Sequence, residues 1–229
     1  MFGSNALNVA INIDLKAKYV YVENPKVASS TVKRHLINQQ LLTLPGAKSN
    51  PHPEIQQSPF VKPYQLGTDQ LANILFGPEF YKFCFVRDPF SRVLSAYLDK
   101  IGGKTPESKL FFNWVAKDRT RTVDFKNFIT FIAQQHPSAR DKHWSSQKRN
   151  VLFDFIKYDM IGRLENFQQA IQVIQQNSQI DFSYLKTHSP HKTDASAKKL
   201  KYYDEYSIAA VNEIYSEDFK CFNYPTEIE

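Results

Sequence analysis

Residues 25–31, Pro-Lys-Val-Ala-Ser-Ser-Thr, place one lysine and three hydroxyls between an apolar strand at 18–23 and a helix with Val32, Leu36 and Ile37 on one face. A helix start offers backbone N–H donors and a partial positive charge, the hydroxyls add donors, and Lys26 adds a full charge. The combination suits a phosphate or sulfate. The loop is not a Walker A sequence, because its lysine comes early and no glycine follows. That weakens an ATPase or kinase reading. A second set of donors lies further on. Arg87 ends the strand Tyr-Lys-Phe-Cys-Phe-Val-Arg at 81–87, and Ser95 lies two turns into the next helix. Arginine grips a phosphate through two parallel hydrogen bonds, and a hydroxyl adds a third. Two anion grips call for a nucleotide phosphorylated at both ends.

The elements must bring those groups together. In a parallel sheet the strand carboxyl ends share one edge, where ligands bind, so Arg87 is expected on the same edge as Lys26. Asp88-Pro89 reads as N-cap and first helical residue. Phe90, Val93, Leu94, Tyr97, Leu98 and Ile101 then form one apolar stripe, stopped by Gly102-Gly103. Between the two grips, 43–68 is an irregular excursion with five prolines, the kind of long loop that is often functional. A helix is expected at about 124–135 and a strand at about 159–164. Another helix opens at Glu165-Asn166, and a loop at 188–197 leads to a last helix near 203–219. Alternating strands and helices imply an α/β fold with a central parallel sheet flanked by helices.

At 229 residues, 42% apolar and 14% aromatic, the chain reads as a single domain with a sizeable core. A net charge of +6 fits an anionic ligand, an acidic glycan or nucleic acid without separating them. Cys84 and Cys221 have neither metal-ligand nor disulfide spacing, which favours a reducing compartment. No targeting segment and no run of about 18 apolar residues is present, so the expectation is a soluble, cytoplasmic bacterial protein, or a eukaryotic lumenal domain whose anchor has been removed.

Five segments carry a family resemblance. PKVASST followed by FVRDPFSRVLSAY is similar to the paired 5′-phosphosulfate and 3′-phosphate signatures of the carbohydrate (Golgi-type) sulfotransferases and their bacterial relatives. HWSSQ, YDMIGRLENF and the stretch from His191 to Tyr224 resemble that family's later segments, in the family's order. The resemblance implies transfer of a sulfuryl group from 3′-phosphoadenosine 5′-phosphosulfate to an acceptor hydroxyl on a carbohydrate, on a P-loop NTPase-like three-layer α/β fold. It assigns Lys26, Val27, Ala28, Ser29, Ser30 and Thr31 to the 5′-phosphosulfate. Arg87 and Ser95 go to the 3′-phosphate, and Lys192, Thr193 and Ser196 to a loop closing over the donor. Many relatives carry glycine where this loop has Ala28.

In-line sulfuryl transfer is expected, with Lys26 stabilising the leaving oxygen and no metal required. A base for the attacking hydroxyl is also needed. His52, in the excursion from which related enzymes draw a catalytic histidine, is the first choice. His143, beside Trp144, is the rival, although a histidine–aromatic pair equally suits a sugar ring; Glu54 is a third candidate. His188 and His191 lack a third ligand for a metal. The basic residues Arg119, Arg121, Arg140, Lys142, Lys148 and Arg149 are a hint of an acidic glycan acceptor. The partner is thus a hydroxyl-bearing acceptor, with nucleic acid set aside because no such module is present. The competing readings are a nucleotide-binding module without catalysis and a small-molecule kinase.

Overall fold

The computed structural model describes residues 4–41, 49–103, 105–183, 185 and 193–228. In chain order the elements begin with α1 (Ser4–Ala10), β1 (Ile11–Asp14), β2 (Tyr19–Val22), α2 (Ser29–Gln40), α3 (Thr68–Phe76) and β3 (Tyr81–Val86). Then come α4 (Pro89–Ala96), α5 (Lys109–Ala116), α6 (Phe125–Gln134), α7 (Gln147–Asn150) and β4 (Met160–Arg163). The chain ends with α8 (Phe167–Asn177), α9 (Ala195–Tyr202), α10 (Glu205–Ile214) and α11 (Ser216–Phe222). These gather into two compact units, Met1–Val86 with Arg149–Pro190, and Arg87–Lys148 with His191–Glu229.

The first unit holds the whole sheet, in the order β1-β2-β3-β4. β2 pairs with β3, and β3 with β4, in parallel. The sheet is nevertheless mixed, which corrects the expectation of a parallel one, because β1 runs antiparallel to β2. The reason is the connection. Four residues join β1 to β2, enough for a hairpin and far too few for a parallel crossover. Asp14 Oδ1 accepts from the N–H groups of Lys16 and Ala17 to close that turn. β1 went unrecognised in the sequence, and its outer side is met by the Pro-rich excursion: Ile13 and Val61 exchange both backbone hydrogen bonds. Otherwise the described part of the excursion is irregular, as expected, with short 3-10 turns at Ile55–Gln57 and Pro63–Gln65.

Tyr19, Tyr21, Phe83 and Phe85 alternate onto one face of β2 and β3. They pack with Val32, Leu36 and Ile37 of α2 and with Ala170, Ile171 and Ile174 of α8. Val20, Val22, Cys84 and Val86, between them, are buried too. Strands buried on both faces read as unbroken apolar runs, which is why β2 and β3 were conspicuous in the sequence.

The second unit has an aromatic core. Phe90 meets Phe219 at 5.1 Å between ring centroids, Phe125 meets Tyr203 at 4.8 Å, and Phe128 lies edge-on to Trp144 at 5.5 Å. Asp88 caps α4 as its sequence predicts, accepting from the N–H groups of Phe90 and Ser91. A π-helical turn, Tyr97–Ile101, extends that helix to Gly102. Asp124 likewise caps α6. The C-terminal expectation needs correction. Helix already starts at Ala195, and the single helix near 203–219 is two, α10 and α11, separated at Tyr215. Asp204 accepts from Ser207 N–H and Ser207 Oγ from Asp204 N–H, a capping box that stops α9 from running on.

Gly162 of β4 explains the glycine in YDMIGRLENF. A Cβ there would stand 2.6 Å from the Phe85 ring and 2.9 Å from Ala170 Cβ, so the absent side chain is what lets α8 close onto the sheet. Gly162→Ala should lower unfolding stability by about 1–3 kcal/mol, measured by urea denaturation.

Candidate functional site

In the first unit, β2 ends at Val22 and the chain reaches α2 through a turn with two left-handed residues, Lys26 (φ 70°) and Ala28 (φ 60°). Alternation of backbone handedness turns successive N–H groups toward one side, forming an anion-binding concavity. Ala28 is the N-cap of α2, and no side chain caps that helix end. Thr31 N–H and Val32 N–H return to the Ala28 carbonyl at 3.0 and 3.1 Å. The hydroxyl residues Ser29 and Thr31 are buried beside the turn and Ser30 is half-buried. Val27 points the other way, into the hydrophobic core, so only its backbone faces a ligand. Left-handed geometry costs a residue with a Cβ roughly 1–2 kcal/mol. A glycine at position 28 would adopt this conformation without that cost.

His52 stands against this turn. Its Nε2 is hydrogen-bonded to Ser30 Oγ at 2.8 Å, and its Nδ1 lies 3.8 Å from Glu23 Oε1. The imidazole is 55% exposed, whereas Glu23 is 7% exposed. Asn50 holds the histidine backbone by accepting its N–H and donating to its carbonyl. The other Glu23 oxygen accepts from buried Lys33 Nζ at 2.7 Å. The imidazole thus has a buried carboxylate on one nitrogen and a hydroxyl on the other. The Nδ1–Oε1 distance is an electrostatic contact rather than a hydrogen bond, and such a contact can orient an imidazole. Glu23 and Lys33 were not singled out in the sequence. Glu23 closes a strand and Lys33 lies four residues past the helix start, so only the fold makes them neighbours. Glu54, the third base candidate, is exposed.

Behind Glu23 is a second buried lysine. Lys62 is 2% exposed and donates to Asn12 Oδ1 at 2.6 Å and to the Ile11 carbonyl at 3.3 Å. Burial, reinforced by the charge of Lys33 and opposed by Glu23, lowers its pKa to about 7.

In the second unit, Arg87 donates from its guanidinium to Ser196 Oγ at 3.1 Å, and Thr193 Oγ1 donates to Ser95 Oγ at 3.0 Å. Four residues singled out in the sequence, drawn from two distant segments, therefore meet: Arg87 just before α4 and Ser95 near its end, with Ser196 and Thr193 at the start of α9 and just before it. Lys192, His188 and His191 lie outside the described residues. The donors of this cluster fit phosphate-type oxygens.

His143 is in the same unit. Its Nδ1 and Asp141 Oδ1 are 2.6 Å apart, and burial lowers its pKa against the pull of Asp141, leaving it neutral at pH 7. Its neighbour Trp144 is no sugar platform. That indole is 1% exposed and its N–H donates to Gln135 Oε1, so the sugar-stacking expectation is corrected by burial. The basic residues are partly structural as well. Arg121 donates to the Trp114 carbonyl and stacks 3.9 Å above its ring; Arg140 donates to the Ile132 and Gln135 carbonyls; Lys148 pairs with Glu217. Among the described residues no three His, Cys, Asp or Glu side chains gather as a metal site, and no helix is long and apolar enough to cross a membrane.

Comparison with known proteins now gives this arrangement a class. The model of the sulfotransferase family matches residues 10–225, and the chain belongs to that family. It is similar to carbohydrate sulfotransferase 9 of Homo sapiens, with 26% identity over 94% of this chain and 53% of that protein. It is 26% identical to carbohydrate sulfotransferase 14 of Danio rerio, over 73% of this chain and 47% of that protein. With carbohydrate sulfotransferase 11 of Mus musculus the identity is 24%, over 95% of this chain and 67% of that protein. The chain thus spans about half to two thirds of the length of these relatives. No solved structure gives a significant match.

Lys62 yields a pH prediction. A lysine whose folded pKa lies below its unfolded value of roughly 10.4 releases a proton on folding, so the stability it withholds at neutral pH returns as pH rises above about 7. Unfolding stability of the wild type should gain at most about 2 kcal/mol between pH 7 and 9 relative to Lys62→Met, read from denaturation curves at both pH values.

Proposed function

We propose that this chain is a sulfotransferase that moves a sulfuryl group from 3′-phosphoadenosine 5′-phosphosulfate to a hydroxyl of a carbohydrate acceptor. The family membership supports the reaction class, and the printed names of the relatives support the acceptor class. The observation that carries the reading is His52, set between the buried Glu23 carboxylate and the hydroxyl of Ser30 on the anion turn. With it we read β2, the 25–31 turn and α2 as a P-loop-like unit that lacks the Walker glycines.

In this reading Lys26, the N–H groups of Ser29 and Ser30 and the Thr31 hydroxyl hold the 5′ end of the donor. Arg87 and Ser95 hold the 3′-phosphate, and the segment with Thr193 and Ser196, bonded to them, closes over the donor. When bound, the donor supplies the sulfuryl group and a 5′-phosphate leaving group. His52 accepts the acceptor's hydroxyl proton at Nε2, while Glu23 stabilises the imidazolium and Lys33 keeps the carboxylate in place. Lys26 contributes positive charge beside the turn. The chemistry is positioning and electrostatics, as in phosphoryl transfer.

The Ser30–His52 hydrogen bond also favours a second reading, because it occupies the nitrogen that must take the proton. In that reading the chain binds the nucleotide and transfers nothing. Incubation with radiolabelled donor and a panel of hydroxyl-bearing glycans separates the two. Wild type should transfer label. His52→Ala should reduce the rate about 10²–10⁴-fold with unchanged affinity for adenosine 3′,5′-bisphosphate. Lys26→Ala should lose turnover by at least as much. Binding without transfer would establish the second reading, and absence of binding would overturn both. Full activity in His52→Ala would pass the base role to His143.

A further inference from the structure

The HWSSQ segment has so far been given no task, because Trp144 is core and His143 is paired with Asp141. Its last residue, Gln147, is 0% exposed, and both ends of its amide are used on one other residue. Gln147 Oε1 accepts from Arg87 N–H at 2.9 Å, and Gln147 Nε2 donates to the Arg87 carbonyl at 2.7 Å. Arg87 occupies the single step between the end of β3 at Val86 and the cap of α4 at Asp88. It belongs to neither element, and the glutamine side chain bonds both polar atoms of its backbone, like one rung of a strand.

Gln147 is itself fastened. Its own N–H donates to Asp218 Oδ2 at 2.7 Å, and Lys148 N–H and Ser146 Oγ donate to Asp218 Oδ1, each at 2.9 Å. Asp218 is fully buried and so takes three hydrogen bonds at the first turn of α7. The preceding residues are held from α4: Arg92, also buried, donates to the Ser145 carbonyl at 2.7 Å and to the Lys142 carbonyl at 3.0 Å. A buried amide satisfied at both ends has one orientation, and a backbone held at both polar atoms has little freedom in φ and ψ.

We infer that Gln147 is a positioning residue for Arg87, aiming its guanidinium at the 3′-phosphate of the nucleotide. The inference rests on the proposed reading of Arg87 as the 3′-phosphate grip. HWSSQ and α11, through Asp218, are then parts of nucleotide recognition that never touch the nucleotide.

The test compares adenosine 3′,5′-bisphosphate with adenosine 5′-phosphate by titration calorimetry on the full chain, alongside melting temperatures. Wild type should bind the bisphosphate more tightly, and Arg87→Ala should remove most of that preference. Gln147→Met should lose roughly 10-fold in affinity for the bisphosphate while changing adenosine 5′-phosphate affinity by less than about 2-fold. Equal losses for both ligands, or none for either, would overturn the inference. Should Gln147→Met not fold, Gln147→Asn ends one methylene short of Arg87 and should show the same selective loss. A wild type that does not distinguish the ligands would overturn the reading of Arg87 itself, a result separable from failure of the Gln147 variants.

Discussion

Val22 of β2 lies beside Cys84 of β3, and just beyond them the Asn24 side chain donates to the Phe85 carbonyl at 3.1 Å. This parallel pairing is the constraint on which the rest depends. It makes both strands end at one edge of the sheet, so the chain leaves β2 into the anion turn and leaves β3 into Arg87. Asn150 adds a contact to Asn24 at 3.3 Å, fastening the same edge from the segment that leads to β4. An antiparallel pairing would have put the two exits at opposite ends of the sheet. β1, antiparallel to β2, sits outside this arrangement and serves to anchor the excursion that carries His52.

The turn at 25–31 stores strain, and the surrounding packing offsets it. Two left-handed residues cost about 2–4 kcal/mol together, while burial of the Val27 side chain returns about 2 kcal/mol. The remaining cost is met by α2, whose apolar face packs into the same core as Val27. Rigid support on one side leaves the N–H groups on the other side oriented before any ligand arrives, which lowers the ordering cost of binding. Glu23, Lys33 and Lys62 follow the same logic at higher risk. Burying two lysines with one glutamate is tolerable only because Asn12 and the Ile11 carbonyl take the second ammonium.

Local signals made much of this legible. Asp88-Pro89 and Asp124 announce helix starts, the apolar runs at β2 and β3 announce buried strands, and the hydroxyls with Lys26 announce an anion turn. Family likeness singled out Arg87, Ser95, Thr193 and Ser196, but not the meetings of Arg87 with Ser196 and of Ser95 with Thr193 across about a hundred residues of chain. What stayed hidden depends on tertiary pairing. Ile11–Asp14 is too short to stand out as a strand, Trp144 carries no mark of its burial, and the roles of Glu23 and Gln147 exist only once distant segments close on them. The break at Tyr215 was missed because the apolar spacing of the flanking helices continues through it.

The central claim is that the turn at 25–31 is an anion grip for the proposed nucleotide donor. A crystal structure of the chain with adenosine 3′,5′-bisphosphate tests it most directly. The account predicts the 5′-phosphate on the N–H groups of Ser29 and Ser30 beside Lys26. A nucleotide bound elsewhere, or one whose 5′-phosphate makes no contact with this turn, would contradict it.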